Sequence, residues 1–235
     1  MIFLLKSVVQ IFLLAVSILF FCKGSSATTF CVAGVRLNKE VKNLKDLKRE
    51  HVISQSLDYS CGAAGLSTLL NYYLEDPINE KEIIATLLQK VDLNKVKARK
   101  GFSLLDLKNF SAARGYKANG YKMDFDFLKT LGKPVLVPIK FKNFRHFVIV
   151  RAVIGDRVFL ADPAVGNTIV KKETFNHMWM EGIGLVVEHR DENKNTDSSP
   201  LAVTMEEARV VDYRNVKRNL ETSALRTTIH TDEWQ

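Results

Sequence analysis

QSLDYSCGAAGLSTLLNYYL, residues 55–74, changes character at Cys61. The residues before it are polar and read as extended or looped chain. From 61 to 74 the sequence is apolar nearly all round, the pattern of a helix enclosed by its own domain. Gly62, Ala63, Ala64 and Gly65 keep its first turns thin, so neighbours can pack close. A cysteine that opens such a helix meets unpaired backbone N–H groups and the positive end of the helix dipole, which stabilise a thiolate and can bind an oxyanion. Gln55 lies six residues upstream.

On the C-terminal side, Pro77 ends this helix. Residues 79–89 read as a second helix, and 103–114 as a third, with Ser103 as N-cap and Gly115 just past the last turn. The period then changes. Residues 116–121 read as a strand, 124–131 as a short helix stopped by Gly132, and 134–140, 146–154, 158–161, 168–171 and 183–188 as β-branched runs between turn residues. Helices first and strands after give an α+β class, a helical half packed on an antiparallel sheet. Residues 190–235 read as a polar linker and tail, with a charged helix at 204–220 that carries no visible chemistry.

On the N-terminal side, residues 28–50 read as a strand or arm. Residues 1–27 carry Lys6, an apolar run over 11–22, and small residues ending at Ser25, Ser26 and Ala27, the pattern of a secretory signal peptide. The apolar run is short for a membrane span, which needs about 20 residues, so the reading is cleavage and an exported, periplasmic or secreted, chain. Membrane contact is expected only if the segment stays uncleaved. Its loss removes two lysines and no acid, lowering the formal charge from +8 to +6. Cys31 and Cys61 then remain, either bridged or with Cys61 kept as a thiol.

The composition, 46% hydrophobic and 26% charged, is that of an ordinary globular chain of 235 residues. The basic excess forms no long run or aromatic-interleaved stripe, so no nucleic-acid partner is read from it. Neither a phosphate-binding G-x-x-x-x-G-K-[ST] loop nor a dinucleotide fingerprint occurs, which argues against ATP or a nucleotide cofactor. His51, His177, His189 and His230 lack metal-ligand spacing, so neither metal nor cofactor is expected.

Two further fragments carry chemistry. NFRHFVIV puts His146 at the mouth of an apolar strand, and FLADPAVG puts Asp162 at the end of the next. Cys, His, Asp is the order of a nucleophile, its base and the group that orients the base. Their spacing makes a structural demand. An uninterrupted hairpin turning on Gly155 and Asp156 pairs His146 with Val165 and puts Asp162 on the opposite face. A three-residue loop, Ile154-Gly155-Asp156, or an equivalent bulge pairs His146 with Ala164 and returns Asp162 to the face of His146, and is expected here.

QSLDYSCGAAG together with GKPVLVPIKFKNFRHFVIVRAVIGDRVFLADPAVG resembles the bacteriocin-leader-processing, double-glycine cysteine peptidases, over roughly residues 51–188. The resemblance implies a papain-like fold over 28–189, with Cys61 as nucleophile, His146 as general base and Asp162 orienting the imidazole. It also implies that Gln55 joins the backbone N–H of Cys61 as an oxyanion donor. Members usually place Asp directly before the cysteine. Here Ser60 stands there, with Asp58 two residues earlier. Without transporter or nucleotide domains, the chain resembles a free-standing, exported branch, whose partner is a peptide or protein with a Gly-Gly leader. Two other functions fit the same residues: a non-cleaving peptide-binding module, and an amidase acting on cell-wall peptide.

Overall fold

The computed structural model describes residues 27–32, 35–40, 43–141, 144–191 and 199–208. The expected signal segment before Ala27 and the tail beyond residue 208 lie outside the described residues. The chain divides into two compact units, 1–46 and 47–235. In the first, β1 (Ala27–Val32) and β2 (Val35–Glu40) form an antiparallel hairpin. Helix α1 (Leu44–Arg49), in a stretch read as strand or arm, begins where Asn43 Oδ1 accepts the N–H of Asp46 at 2.9 Å.

The second unit opens with its helical half: α2 (Cys61–Tyr72), α3 (Glu80–Leu88), α4 (Leu93–Arg99) and α5 (Leu104–Ala113). Local signals set the helix starts. Asn79 accepts from the N–H of Glu82, and Ser103 forms a reciprocal capping box with Asp106. Helix α4 was not anticipated, because only Val96 of its seven residues is buried and no apolar stripe marks it. Helix α2 is buried from Cys61 to Leu70. Its small residues matter: a Cβ on Gly65 would meet Leu136 at 2.8 Å, and one on Gly62 would meet Leu107 at 3.1 Å and Phe147 at 3.2 Å.

The sheet half comprises β3 (Lys117–Lys122), β4 (Val135–Phe141), β5 (Phe144–Ile154), β6 (Arg157–Asp162), β7 (Gly166–Lys171) and β8 (Ile183–Glu188). They form one antiparallel sheet in the order β3-β8-β4-β5-β6-β7. Alternation along the strands builds two cores. Leu136, Ile149, Ala161 and Leu185 pack with Leu66 and Leu69 of α2. Val137, Val148, Val150, Leu160 and Val186 pack with Leu128 of α6 (Phe125–Thr130) and Phe175 of α7 (Lys172–Met178). Both faces of the sheet are therefore covered, and the mixed helix and antiparallel-sheet class is the expected one.

The β5–β6 hairpin corrects half of the expectation for its turn. Ile154 pairs with Arg157, so the loop is the two residues Gly155 and Asp156, not three; Gly155 supplies the positive φ, 61°, that a tight hairpin needs. The compensation is a bulge. Ala152 pairs with Phe159, but the next pair is Val150 with Leu160, and Arg151 is skipped. The register beyond the skip places Val148 opposite Asp162 and so gives Asp162 and His146 one face.

The stretch expected as linker and tail rejoins the domain. Leu201 is 2% exposed within the core beside α2. Ser199 Oγ donates to the carbonyl of Tyr72 at 2.8 Å, and His51 Nδ1 lies 3.0 Å from the carbonyl of Pro200. Replacing Leu201 with Ala is expected to lower the unfolding free energy by about 2–5 kcal/mol. The same change at Met205, 72% exposed, should stay within about 0.5 kcal/mol. Urea denaturation of the two variants measures the contrast.

Candidate active site

The loop before α2 is closed by its own side chains. Ser60 is buried, and its hydroxyl accepts the N–H of Leu57 at 3.1 Å while donating to the carbonyl of Leu57 at 2.8 Å. It therefore gives no side-chain cap to α2, and no capping side chain occupies the first amides of the helix at Cys61. Upstream, the N–H of Ser56 sits between the two carboxylate oxygens of Glu80, at 3.0 and 3.1 Å. The N–H of Gln55 donates to the carbonyl of Pro163 at 2.9 Å. The loop is thus fastened to α3 on one side and to the residue after Asp162 on the other.

Three of the four expected residues come together. His146 Nε2 lies 2.7 Å from Asp162 Oδ1. Cys61 also raises the pKa of the imidazole, and with Nε2 on Asp162 the ring nitrogen left for the sulfur is Nδ1. Cys61 is a free thiol, 6% exposed. Asp162 is itself fixed, since its Oδ1 accepts the N–H of Ala164 at 2.7 Å. By alternation His146 and Asp162 belong with Val148 and Leu160, whereas Phe147 and Ile149 face α2. The imidazole therefore meets the sulfur at the end of the sheet, where Phe147 lies against Gly62. That contact requires the missing Cβ at Gly62.

Burial alone pulls the pKa of His146 down. The hydrogen bonds to Asp162 and Cys61, and the charges of both, outweigh it and push the imidazole up from 6.5 to about 9. The side chain of Gln55 shares no hydrogen bond with the other three. Its Nε2 donates to the carbonyl of Leu57 at 3.2 Å, and its Oε1 is buried without a partner. Among the described residues, no group of three or more His, Cys, Asp or Glu side chains is arranged to hold a metal. A cavity of about 380 Å³ between α3 and α5, lined by Ile78, Leu87, Val91 and Phe110 among others, contains none of the four residues. A buried thiol that acts on an imidazole, itself hydrogen-bonded to a carboxylate, can pass its proton to that imidazole, and the carboxylate can hold the resulting imidazolium.

Glu80 and Ser60 were not foreseen as parts of this site. Glu80 lies in the first turn of α3, and Ser60 directly precedes α2. Only their burial and their partners reveal that they shape the loop.

The sequence pattern of the peptidase C39 family matches residues 49–192. The chain is 32% identical over 158 residues to a probable functional amyloid protease FapD of Pseudomonas fluorescens, covering 66% of this chain and 69% of that protein. It is 30% identical over 141 residues to its namesake in Pseudomonas aeruginosa, covering 60% and 62%. Among solved structures, the peptidase domain of Streptococcus ComA, a bifunctional ABC transporter of a quorum-sensing pathway, superposes with a TM-score of 0.52 at 18% identity. That match covers 60% of this chain and 100% of the domain.

The imidazole of His146 should titrate near pH 9 by NMR. Asp162→Asn, which keeps an oxygen acceptor but loses the charge, should lower that midpoint by at least about one pH unit. Because the folded pKa lies above the unfolded one, the stabilisation from this group is complete below pH 6.5 and is lost as pH rises through about 9. Asp162→Asn should flatten that loss in a pH series of denaturation curves.

Proposed function

The chain belongs to the peptidase C39 family and is a cysteine peptidase, and from that premise we propose that it is an exported endopeptidase acting on a leader or an exported protein. The bond cut is the one after a glycine pair, by acyl transfer through a thioester on Cys61. The observation that carries the reading is one imidazole, His146, hydrogen-bonded to the Asp162 carboxylate at 2.7 Å and raised in pKa by both Asp162 and Cys61.

His146 takes the proton of Cys61 on Nδ1, and Asp162 holds the imidazolium through Nε2–H. The thiolate attacks the carbonyl carbon of the substrate. The oxyanion accepts hydrogen bonds from the backbone N–H of Cys61 and from Gln55, whose Nε2 has a second N–H beyond the one given to Leu57. His146 then returns its proton to the departing amine, which leaves with the C-terminal fragment. Water gives a proton to His146 and attacks the thioester, and the acid product leaves as the thiol is restored. Every proton taken is given back. The uncapped amides at the start of α2 are donors that support an oxyanion at this point. Export rests on the apolar run and small residues of 1–27.

The test is purified, reduced protein incubated with co-expressed exported proteins that carry a Gly-Gly leader. Proteins of a functional amyloid come first, because two relatives are named as proteases of one. Cleavage at a single site is expected, abolished by iodoacetamide and reduced at least about 10³-fold in Cys61→Ala. Cleavage that survives Cys61→Ala overturns the reading, as does release of peptidoglycan fragments with protein substrates left intact. Gln55→Ala should lower kcat about 10²–10³-fold with little change in KM. The alkaline limb of kcat/KM should fall near pH 9, where His146 loses its proton.

A further inference from the structure

Building on the roles of His146 and Asp162 just proposed, we infer that Arg151 and Glu207 are positioning residues. Their ion pair pins the β5 bulge that gives Asp162 and His146 one face, which makes residues 199–208 a working part of the site although they lie beyond the family match at 49–192.

Register is ordinarily enforced by a buried and a solvated face. That enforcement is missing here. Val158, Phe159, Leu160 and Ala161 of β6 are all buried, at 0–2% exposure, so a one-residue slip exchanges one apolar side chain for another. The unbulged alternative would also keep the Gly155-Asp156 turn and add a regular pair at Arg151. In that register Asp162 faces away from His146. Something other than apolar patterning must hold the skip.

Arg151 is the skipped residue, and its side chain is only 6% exposed. All five of its N–H donors are used. Nε donates to the carbonyl of Leu201 at 2.8 Å, and Nη2 to that of Ala202 at 3.2 Å. Nη1 and Nη2 reach the two carboxylate oxygens of Glu207 at 2.8 and 3.0 Å, a bidentate pair. Nη1 also donates to Asn167 Oδ1 at 2.8 Å. Asn167 lies on β7 opposite Ala161, one residue before Asp162, so Arg151 and Asn167 grip β6 from both of its neighbours. Asn167 is in turn tied to the carbonyl of Glu50 at 2.8 Å.

The far end of the clasp is firmly seated. Leu201 is in the core, Ser199 holds the end of α2, and Thr204 caps the turn that carries Glu207, accepting its N–H at 3.1 Å. A slip of β5 would pull a buried guanidinium from its acceptors and leave its charge uncompensated. This penalty selects the bulged register.

The test uses full-length Glu207→Ala, with Glu207→Gln as the variant that keeps an acceptor and Glu206→Ala as a control for loss of an exposed charge nearby. Two quantities are read: the NMR titration midpoint of His146, which faces Cys61 and Asp162, and kcat and KM on whichever Gly-Gly leader protein the parent cuts in the test above. Glu207→Ala is expected to lower the His146 midpoint by at least about one pH unit from about 9, and to lower kcat at least about tenfold with KM within about twofold. Glu207→Gln should recover part of both, and Glu206→Ala should change neither. If Glu207→Ala loses thermal stability while the midpoint and kcat stay at parental values, the role is merely structural and the inference is overturned. Should Glu207→Ala not fold, Glu207→Gln is read by the same two measures. Should the parent cut no peptide, the midpoint still decides the matter. A fall in Glu207→Ala then supports the clasp even as the peptidase reading fails, and no fall overturns it.

Discussion

Side chains on a strand alternate between two faces, so residues on neighbouring strands share a face in only every second register. In this sheet both faces are buried, by α2 and its partners on one side and by α6 and α7 on the other. The one-residue skip at Arg151 therefore carries information that the apolar pattern does not. It determines whether the Asp162 carboxylate reaches the His146 imidazole at all. Everything proposed about proton transfer at Cys61 depends on that single offset.

Once the two residues share a face, electrostatics takes over. A buried imidazole by itself prefers to be neutral, yet His146 is pushed up to about 9, and a shift of that size from 6.5 corresponds to about 3 kcal/mol in favour of the imidazolium. A carboxylate held in place by the N–H of Ala164 can supply this, because it does not need to reorganise when the charge appears. The sulfur on the other side of the ring adds to the same preference. The arrangement favours the protonated imidazole.

The loop before Cys61 is assembled from small, specific contacts. Ser60 stands where relatives of the resembled kind usually carry Asp, and the structure gives the serine a use that a carboxylate could not fill. Its hydroxyl both donates to and accepts from Leu57, whereas an ionised carboxylate only accepts. Glu80 holds the N–H of Ser56, and the carbonyl of Pro163 holds that of Gln55. Gln55 and Asp162 are thus linked through the backbone at Pro163.

Much of this was legible from the residues alone. The apolar run after Cys61, the cap at Ser103, the β-branched runs and the Cys, His, Asp order specify an α+β chain with a cysteine at a buried helix start, because helix and strand periods and caps are local properties of the chain. The need for a bulge or longer loop also followed, since face alternation is a matter of counting. Which device meets that need was not local. Whether the turn takes two residues or three depends on what holds Arg151, and its partners Asn167, Leu201, Ala202 and Glu207 lie 16 to 56 residues away. For the same reason residues 199–208 read as a polar tail although they return to the core. Short-range pattern determined the elements and the reactive residue types. Only the folded chain, by desolvating charged groups until each required a particular partner, decided the register that brings those residues together.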